Sequence, residues 1–398
     1  AAAGVEYRTW RQDKVERLSS VGQWRLRVGY LSSDFVNHPT ADLILAALLA
    51  HDRRRYEIFC YATTRDDQSD YRRMLVRGTE HWRNLRRSDT DKKCAELIAE
   101  DGIHVLVNLN GHTANDRNGI SALRPAPLQL VYLAYPGTMG ASYIDYNVAD
   151  HTVCPPEHRD EYTEGLMYMP FCYQVNSFRL LYPDVLSPDK PPLRHEHQLP
   201  TSAFVYCNFC RLGRVTRDLF EVWVRILERV PGSVLWLYKH PKTAVLRLQE
   251  EARRRGLDPA RLVFAPPCSP KSEHLKRVTL ADLCLDTLVY NGHTTGSDAL
   301  WAGVPMVTLQ GTTFQSRVGA SLARAACLPE MITYTLQEYE DLAVRLASDK
   351  AYRLDLRERL RAQRESAPLF DTARWVRSFE WSLEAMWRRH TSNEPPQD

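Results

Sequence analysis

From Arg25 the chain alternates between apolar runs and segments with apolar positions at helical spacing. "RLRVGYLS" reads as strand, "TADLILAALLAH" as helix, "YEIFCYAT" as strand, "DKKCAELIAEDG" as helix, "IHVLVNLNG" as strand and "APLQLVYLAYPG" as a further strand. Strands that alternate with helices predict a parallel sheet covered on both faces. "CPPEHRDEYTEGLMYMP" ends the series, and the proline-rich "LYPDVLSPDKPPLRHEHQLP" reads as a linker.

A second series runs through "FVYCNF", "RDLFEVWVRILERVP", "SVLWLYKHP", "AVLRLQEEARRRG", "RLVFAPP", "KSEHLKRVTLAD" and "LCLDTLVY" to "PMVTLQG", and it implies a second doubly wound sheet. "EYEDLAVRLASDKAYRLDLRERLRAQR" and "DTARWVRSFEWSLEAMWRRH" are helical, and the last of these is expected to cross back to the first domain. The resulting division is an N-terminal linker over 1–24, a first lobe over 25–190, an interlobe linker over 191–202, a second lobe over 203–370, and a C-terminal helix and tail over 371–398. No internal repeat of solenoid length occurs.

The 398 residues are 44% hydrophobic and 25% charged, enough for two packed domains. A formal net charge of +3 is too small to imply nucleic acid, and the Arg runs "HDRRR" and "EARRRG" fall at helix ends. The nine cysteines are scattered; the close pair in "CNFC" lies in a strand, and no Cys/His spacing builds a zinc site. The longest apolar run, "ADLILAALLA", is too short to span a bilayer. Free thiols and the lack of a signal peptide point to the cytoplasm or nucleus.

Chemistry concentrates where strands end, because doubly wound sheets bind ligands beyond the carboxyl ends of their strands. "YNGHTTGSDALWAGVPMVTL" puts His293, Thr294 and Thr295 at the start of a helix, where N–H groups and hydroxyls suit a phosphate oxygen. The same residues also suit an ordinary helix cap. In "FAPPCSPKSEHLKR", Lys271, His274 and Arg277 share one helix face, as a base- and phosphate-contacting surface or as a solvated one. Asp298 is placed either to accept from ribose hydroxyls or to serve as a first-turn helix acid. His38 in "DFVNHPT" and Asn110, His112 and Thr113 in "NLNGHT" lie at strand ends of the first domain.

Six segments in order, "RVGYLSSDFVNHPT", "DGIHVLVNLNGHT", "LRPAPLQLVYLAYPGT", "VYCNF", "PKSEHLKR" and "NGHTTGSDALWAGVPMVTL", resemble the protein O-linked N-acetylglucosamine transferases and their SPINDLY-type relatives, from Arg25 to about Arg389. The resemblance implies a GT-B fold, two Rossmann-like doubly wound domains facing a cleft. It implies inverting transfer from UDP-N-acetylglucosamine to Ser or Thr of protein and peptide acceptors, with no metal, no cofactor, no nucleic acid and no membrane. By resemblance, Arg211, Ser269, Lys271, His274, Arg277, His293, Thr294, Thr295 and Asp298 hold the sugar nucleotide. His38 stands near the acceptor as base or positioning group, Asn110, Thr113, Tyr135 and Pro136 line the acceptor side, and His112, where animal members usually have tyrosine, is a further base candidate that is not inherited from the family. A leaving diphosphate held this way would be neutralised by side-chain cations and a helix N-terminus.

The chain departs from the family in two ways. Animal members read F-N-Q-L-x-K after the "VYCNF" strand, where this chain reads "FCRLGR", so Arg211 replaces the glutamine and Arg214 the lysine that faces the diphosphate. A planar guanidinium is not a compact ammonium, and the site either loses activity or is rebuilt. The large inserted domain and the upstream helical repeats of the family are also missing, and the chain is expected to be a catalytic portion. Two readings compete with the leading one. A SPINDLY-type GDP-fucose transferase carries T-T-T-T where this chain has "HTTG", and a degenerate module would bind nucleotide without turnover.

Overall fold

The computed structural model describes residues 24–187 and 189–398, so the linker expected over 1–24 lies outside the described residues except for Trp24. The chain divides into two compact units, one formed by the chain up to Ser177 with Asp371–Asp398, the other by Phe178–Phe370.

The first unit is built on seven parallel strands, β1 (Leu26–Ser32), β2 (Tyr56–Ala62), β3 (His81–Asn84), β4 (Val105–Asn108), β5 (Leu128–Val131), β6 (Tyr146–Ala149) and β7 (Gly165–Tyr168). Their order is β3-β2-β1-β4-β5-β6-β7. β4 and β5 are buried at every position and β1 and β2 nearly so, which is why these four read as unbroken apolar runs. β3 has the sequence HWRN and none of its positions is fully buried, so no apolar run marks it. The helix Pro39–Ala50 buries eight of its positions and begins with proline, whose missing N–H costs nothing in a first turn.

The C-terminal helix, Thr372–Thr391, belongs to this first unit. The Glu380 carboxylate accepts from His51 Nδ1 at 2.9 Å and from the Asp52 amide at 2.9 Å, while Tyr30 Oη lies 2.7 Å from His51 Nε2. Since a carboxylate only accepts, Nδ1 carries the imidazole hydrogen and Nε2 receives the Tyr30 hydroxyl. Burial holds His51 below its ordinary range, so the ring stays neutral. Trp375 stacks on Tyr132 at 5.3 Å and donates to Tyr173 O.

The second unit has six parallel strands, β8 (Val205–Asn208), β9 (Val234–Tyr238), β10 (Leu262–Ala265), β11 (Leu283–Leu285), β12 (Met306–Leu309) and β13 (Ile332–Thr333), in the order β10-β9-β8-β11-β12-β13. The first four of these repeat the connectivity of β1 to β4.

Three expectations are corrected here. The boundary between the units falls at Ser177/Phe178, and the proline-rich segment expected as a linker over 191–202 belongs to the second unit. Phe178 stacks on Trp301 at 5.5 Å, Trp301 Nε1 donates to Tyr182 O, and Arg194 pairs with Asp282 at 2.9 Å; burying those rings outweighs the freedom that prolines and charges predict. The strand read over "LCLDTLVY" ends at Leu285, and residues 286–293 form a loop.

Glu380→Ala removes the acceptor of two buried donors and should loosen the C-terminal helix by about 1–3 kcal/mol. The result expected is faster amide exchange along Thr372–Thr391; unchanged protection would mean that Trp375 and Phe379 hold the helix by apolar packing alone.

Candidate active site

Each sheet reverses its winding once, between β1 and β4 and between β8 and β11, and helices leaving to opposite faces open a crevice at the strand ends there. Some of the predicted residues of each unit lie at these two points.

In the second unit the side-chain amide of Asn208 ties the strand ends together: Nδ2 donates to Leu285 O at 2.7 Å and Oδ1 accepts the Cys210 amide at 3.0 Å. After β11 comes Asp286, buried, with Oδ1 accepting the amides of Thr287 (2.8 Å) and Gly292 (2.6 Å) and Oδ2 accepting the Thr308 hydroxyl (2.7 Å). Burial raises this carboxyl to about 6 against the pull of those donors and of Arg214. Gly292 leaves room for the knot, since a Cβ there would stand 2.7 Å from Thr295 Oγ1 and 3.2 Å from Asp286 Oδ1.

The helix Thr294–Trp301 follows with His293 at its N-cap position, and the His293 side chain makes no capping bond. Its Nε2 lies 3.2 Å from Gln315 O, and because a carbonyl only accepts, Nε2 carries the hydrogen. Thr295 Oγ1 is engaged with Cys210 Sγ at 3.1 Å. Helices elsewhere in the chain are capped by the side chains of Ser69, Thr90, Thr216 and Thr335. Among the described residues no side-chain oxygen takes the Thr294 or Thr295 amide, while the Gly296 amide donates to Gly292 O at 3.0 Å, so His293 is not an ordinary side-chain cap of "HTTG".

Arg214 lies at the end of a short turn, Leu212–Arg214, that follows β8. Its Nη1 donates to Asn291 O at 2.7 Å, and its guanidinium lies 3.9 Å from the centroid of the Tyr290 ring. Tyr290 in turn stacks on His293 at 4.6 Å. Burial first, and the Arg214 charge as well, push His293 down to about 3, against its bond to Gln315 O. Arg211 is exposed; its carbonyl accepts the Arg214 amide at 2.9 Å, and its side chain has no hydrogen-bond or ion-pair partner among the described residues.

The helix Lys271–Val278 also starts without a side-chain cap, after exposed Ser269. Lys271 Nζ pairs with Asp298 Oδ1 at 2.8 Å, so the predicted cation and the predicted carboxylate are partners. Arg277 is buried, donating from Nη1 to Pro266 O at 2.8 Å and from Nε to His274 Nδ1 at 3.1 Å. It braces the helix from within, which is neither the solvated face nor the open cationic one. His274, pushed down to about 3 by burial and by Arg277 and Lys271, is a neutral ring with its hydrogen on Nε2. His274, Thr295 and Asp298 line one narrow crevice with Cys210, Asp286 and Gly292.

In the first unit Asn110 does what Asn208 does in the second. Its Oδ1 accepts the Ser33 amide at 2.8 Å, and its Nδ2 reaches Ser33 Oγ (2.8 Å), Asp34 Oδ2 (3.0 Å) and Thr113 Oγ1 (3.3 Å). His38 sits at the N-cap position of Pro39–Ala50 with Nδ1 3.3 Å from the Thr40 amide and 3.5 Å from Asp34 Oδ2, and its side chain is 45% exposed. His112 Nε2 donates to Met139 O at 3.0 Å, Nδ1 faces the Asn118 amide at 3.5 Å, and the ring meets Tyr135 edge-on at 5.2 Å. Gly111 has a positive φ of 56° and a Cβ there would stand 2.5 Å from Tyr135 Cβ, so glycine lets this turn meet the Tyr135–Pro136 loop.

Asp34, Asp286, Tyr290 and Asn291 were not among the predicted site residues. Asp34 and Asp286 share one signal, a carboxylate just past an apolar strand. Among the described residues no group of three or more His, Cys, Asp and Glu could hold a metal ion, and no helix is long and apolar enough to cross a membrane.

Two doubly wound parallel units in one chain are the architecture of the GT-B glycosyltransferases. The chain belongs to glycosyl transferase family 41, whose profile matches residues 10–188 and 192–379. It is 42% identical over 374 residues to the probable UDP-N-acetylglucosamine–peptide N-acetylglucosaminyltransferase SEC of Arabidopsis thaliana, covering 94% of this chain and 38% of that protein. It is 32% identical over 397 residues to the tomato (Solanum lycopersicum) protein named as the probable enzyme of the same kind, SPINDLY, covering 98% and 41%. Among solved structures, a mutant O-GlcNAc transferase of Thermobaculum terrenum matches with a TM-score of 0.82 at 32% identity, over 93% of this chain and 69% of that one. The chain thus spans about two fifths of the length of these curated relatives.

Both depressed histidines make stability depend on pH. In the unfolded chain they take up protons near 6.5, whereas His274 and His293 resist until about 3, so stability is lost as pH falls from 6.5 toward 3. Asp286, raised from 3.8 to about 6, acts in the opposite sense, favouring the folded state at the acid end of its window. His274→Gln should therefore shrink the loss of urea resistance between pH 7 and pH 5; an unchanged loss would mean that the His274 ring is protonated in the folded protein.

Proposed function

We propose that this chain transfers N-acetylglucosamine from UDP-N-acetylglucosamine to Ser and Thr hydroxyls of proteins, with inversion at the sugar carbon. The observation that carries the reading is the uncapped N-terminus of Thr294–Trp301 with the Arg214 guanidinium fixed beside it. Free N–H groups at a helix start and an adjacent cation form a diphosphate site. In an inverting transfer the acceptor oxygen bonds to the sugar carbon as the bond to the β-phosphate oxygen breaks, and UDP leaves with the electron pair. Negative charge grows on the diphosphate during that step, so donors fixed in advance act mainly on the transition state. Neither a metal nor a cofactor is required in this reading, because Arg214 and the helix start supply the charge.

The acceptor hydroxyl is assigned to His38 as its positioning group, with the hydroxyl proton released to solvent. His38 Nδ1 accepts the Thr40 amide at 3.3 Å, which puts the ring hydrogen on Nε2 for the acceptor oxygen, whereas His112 commits its Nε2 hydrogen to Met139 O. His112 then orients Tyr135 beside Asn110 and Thr113. The acceptors are proteins of the cytoplasm and nucleus, compartments in which nine free cysteines persist as thiols.

The fucosyl donor is the second reading, and "HTTG" weighs against it. A Cβ at Gly296 would stand 3.0 Å from Leu322 Cδ1 and 3.2 Å from Met306 Sδ, so the T-T-T-T form needs a differently packed helix. Calorimetry in EDTA should give UDP and UDP-N-acetylglucosamine binding and much weaker GDP-fucose binding; preference for GDP-fucose, or binding only with added magnesium, would overturn the donor or the metal-free reading respectively.

Arg214→Ala should lower turnover by roughly a hundredfold, as loss of one transition-state donor does, with a smaller loss of UDP affinity. Full activity in that variant would remove Arg214 from the leaving-group role.

A further inference from the structure

We infer that Tyr290 is the positioning residue that makes an arginine workable at position 214, an assignment that rests on the transferase reading above. A flexible guanidinium can hold the diphosphate in advance only if its plane is fixed, and its backbone anchor among the described residues is Nη1 on Asn291 O at 2.7 Å. That anchor is rigid. Asn291 is fully buried, its amide donates to Gln315 O (2.9 Å), its Nδ2 donates to Thr287 O (2.6 Å), and its Oδ1 accepts the Gly319 amide (3.0 Å). One hydrogen bond fixes a point, however, and leaves the guanidinium free to turn about it.

The Tyr290 ring supplies the plane, with the guanidinium carbon 3.9 Å from its centroid. The ring is itself held from both directions. It stacks on His293 at 4.6 Å and 21°, His293 is tied to Gln315 O, and the Tyr290 carbonyl accepts the Thr287 hydroxyl at 2.6 Å. Stacking uses the face of the guanidinium and leaves the N–H donors of its edge, other than that of Nη1 to Asn291 O, for an anion. A lysine in the same place would have no plane to stack and would gain little from the ring. Arginine 214 and tyrosine 290 therefore work as one unit, and the replacement of the family's lysine is a rebuilt site.

The test is a double-mutant cycle on the full chain, with UDP-N-acetylglucosamine and a peptide acceptor. Tyr290→Leu should lower kcat about tenfold, between the exposed and the desolvated values of a cation–π contact, while the donor KM changes less than about twofold. Tyr290→Phe keeps the ring and should stay within about threefold of the parent chain; Tyr290→Met is the second truncation if the leucine variant does not fold. In an Arg214→Ala background the same truncation should cost less than about twofold more. An equal cost in both backgrounds, or a phenylalanine variant as slow as the leucine one, overturns the assignment. Absence of turnover in the parent chain tells against the transferase reading alone, and the same four chains are then compared by UDP calorimetry. Non-additive losses of UDP affinity there support the pairing, and additive losses overturn it.

Discussion

At the end of β11 a carboxylate is buried under three hydrogen bonds, and the geometry of the second unit's site depends on it. Asp286 takes the amides of Thr287 and Gly292 on one oxygen, which folds residues 287–292 into a closed loop, and takes the Thr308 hydroxyl of β12 on the other. That closure turns Asn291 O toward Arg214, sets Tyr290 over His293 and starts the helix Thr294–Trp301 with no side-chain cap. Burying a carboxylate takes it out of water, and the raised Asp286 value registers that cost of desolvation. Arg214 stands near enough to draw the carboxyl back down. The guanidinium thus balances a charge of the fold as well as that of the proposed diphosphate.

The two units solve the switch-point problem by the same device. Where two strands part to opposite faces their last amides and carbonyls lose ladder partners, and a side-chain amide carrying both donor and acceptor can serve both ends. Asn110 does this for the ends of β1 and β4, and Asn208 for those of β8 and β11. In the first unit the same knot includes Asp34, which brings a carboxylate within 3.5 Å of His38 Nδ1. The polar residues that hold the strand ends together and those available for chemistry are therefore neighbours in space, because both need the place where regular pairing stops.

This overlap explains what the sequence could and could not disclose. Strands buried on both faces, such as "RLRVGYLS" and "SVLWLYKHP", are legible because burial on both faces writes an unbroken apolar run. β3, with the sequence HWRN at the sheet edge, and the two-residue β13 write no such run. The segment 181–200 reads as a linker by its prolines, yet Tyr182, Val185 and Leu199 are buried. At the site, the small-residue turn "GHTTG" and the cation at Arg214 are visible in the text. The pairing of Lys271 with Asp298, and the inward turn of Arg277 to Pro266 O, are not, since they are set by partners distant in sequence.

Tyr290 shows how one boundary error can hide a residue of the candidate site. Read as the last residue of a strand "LCLDTLVY", it alternates with its neighbours across a sheet and has no relation to Arg214. Asp286 forbids that strand, because a buried carboxylate in the middle of a ladder would have no donors, whereas at the end of one it can gather the amides of its own loop. Once the strand stops at Leu285, residue 290 moves from the sheet to the rim of the site. The aspartate after an apolar run, followed six residues later by the glycine whose amide it takes, is therefore the feature of this sequence from which the aromatic platform follows, and it carries more structural information than the histidine and threonines beside it.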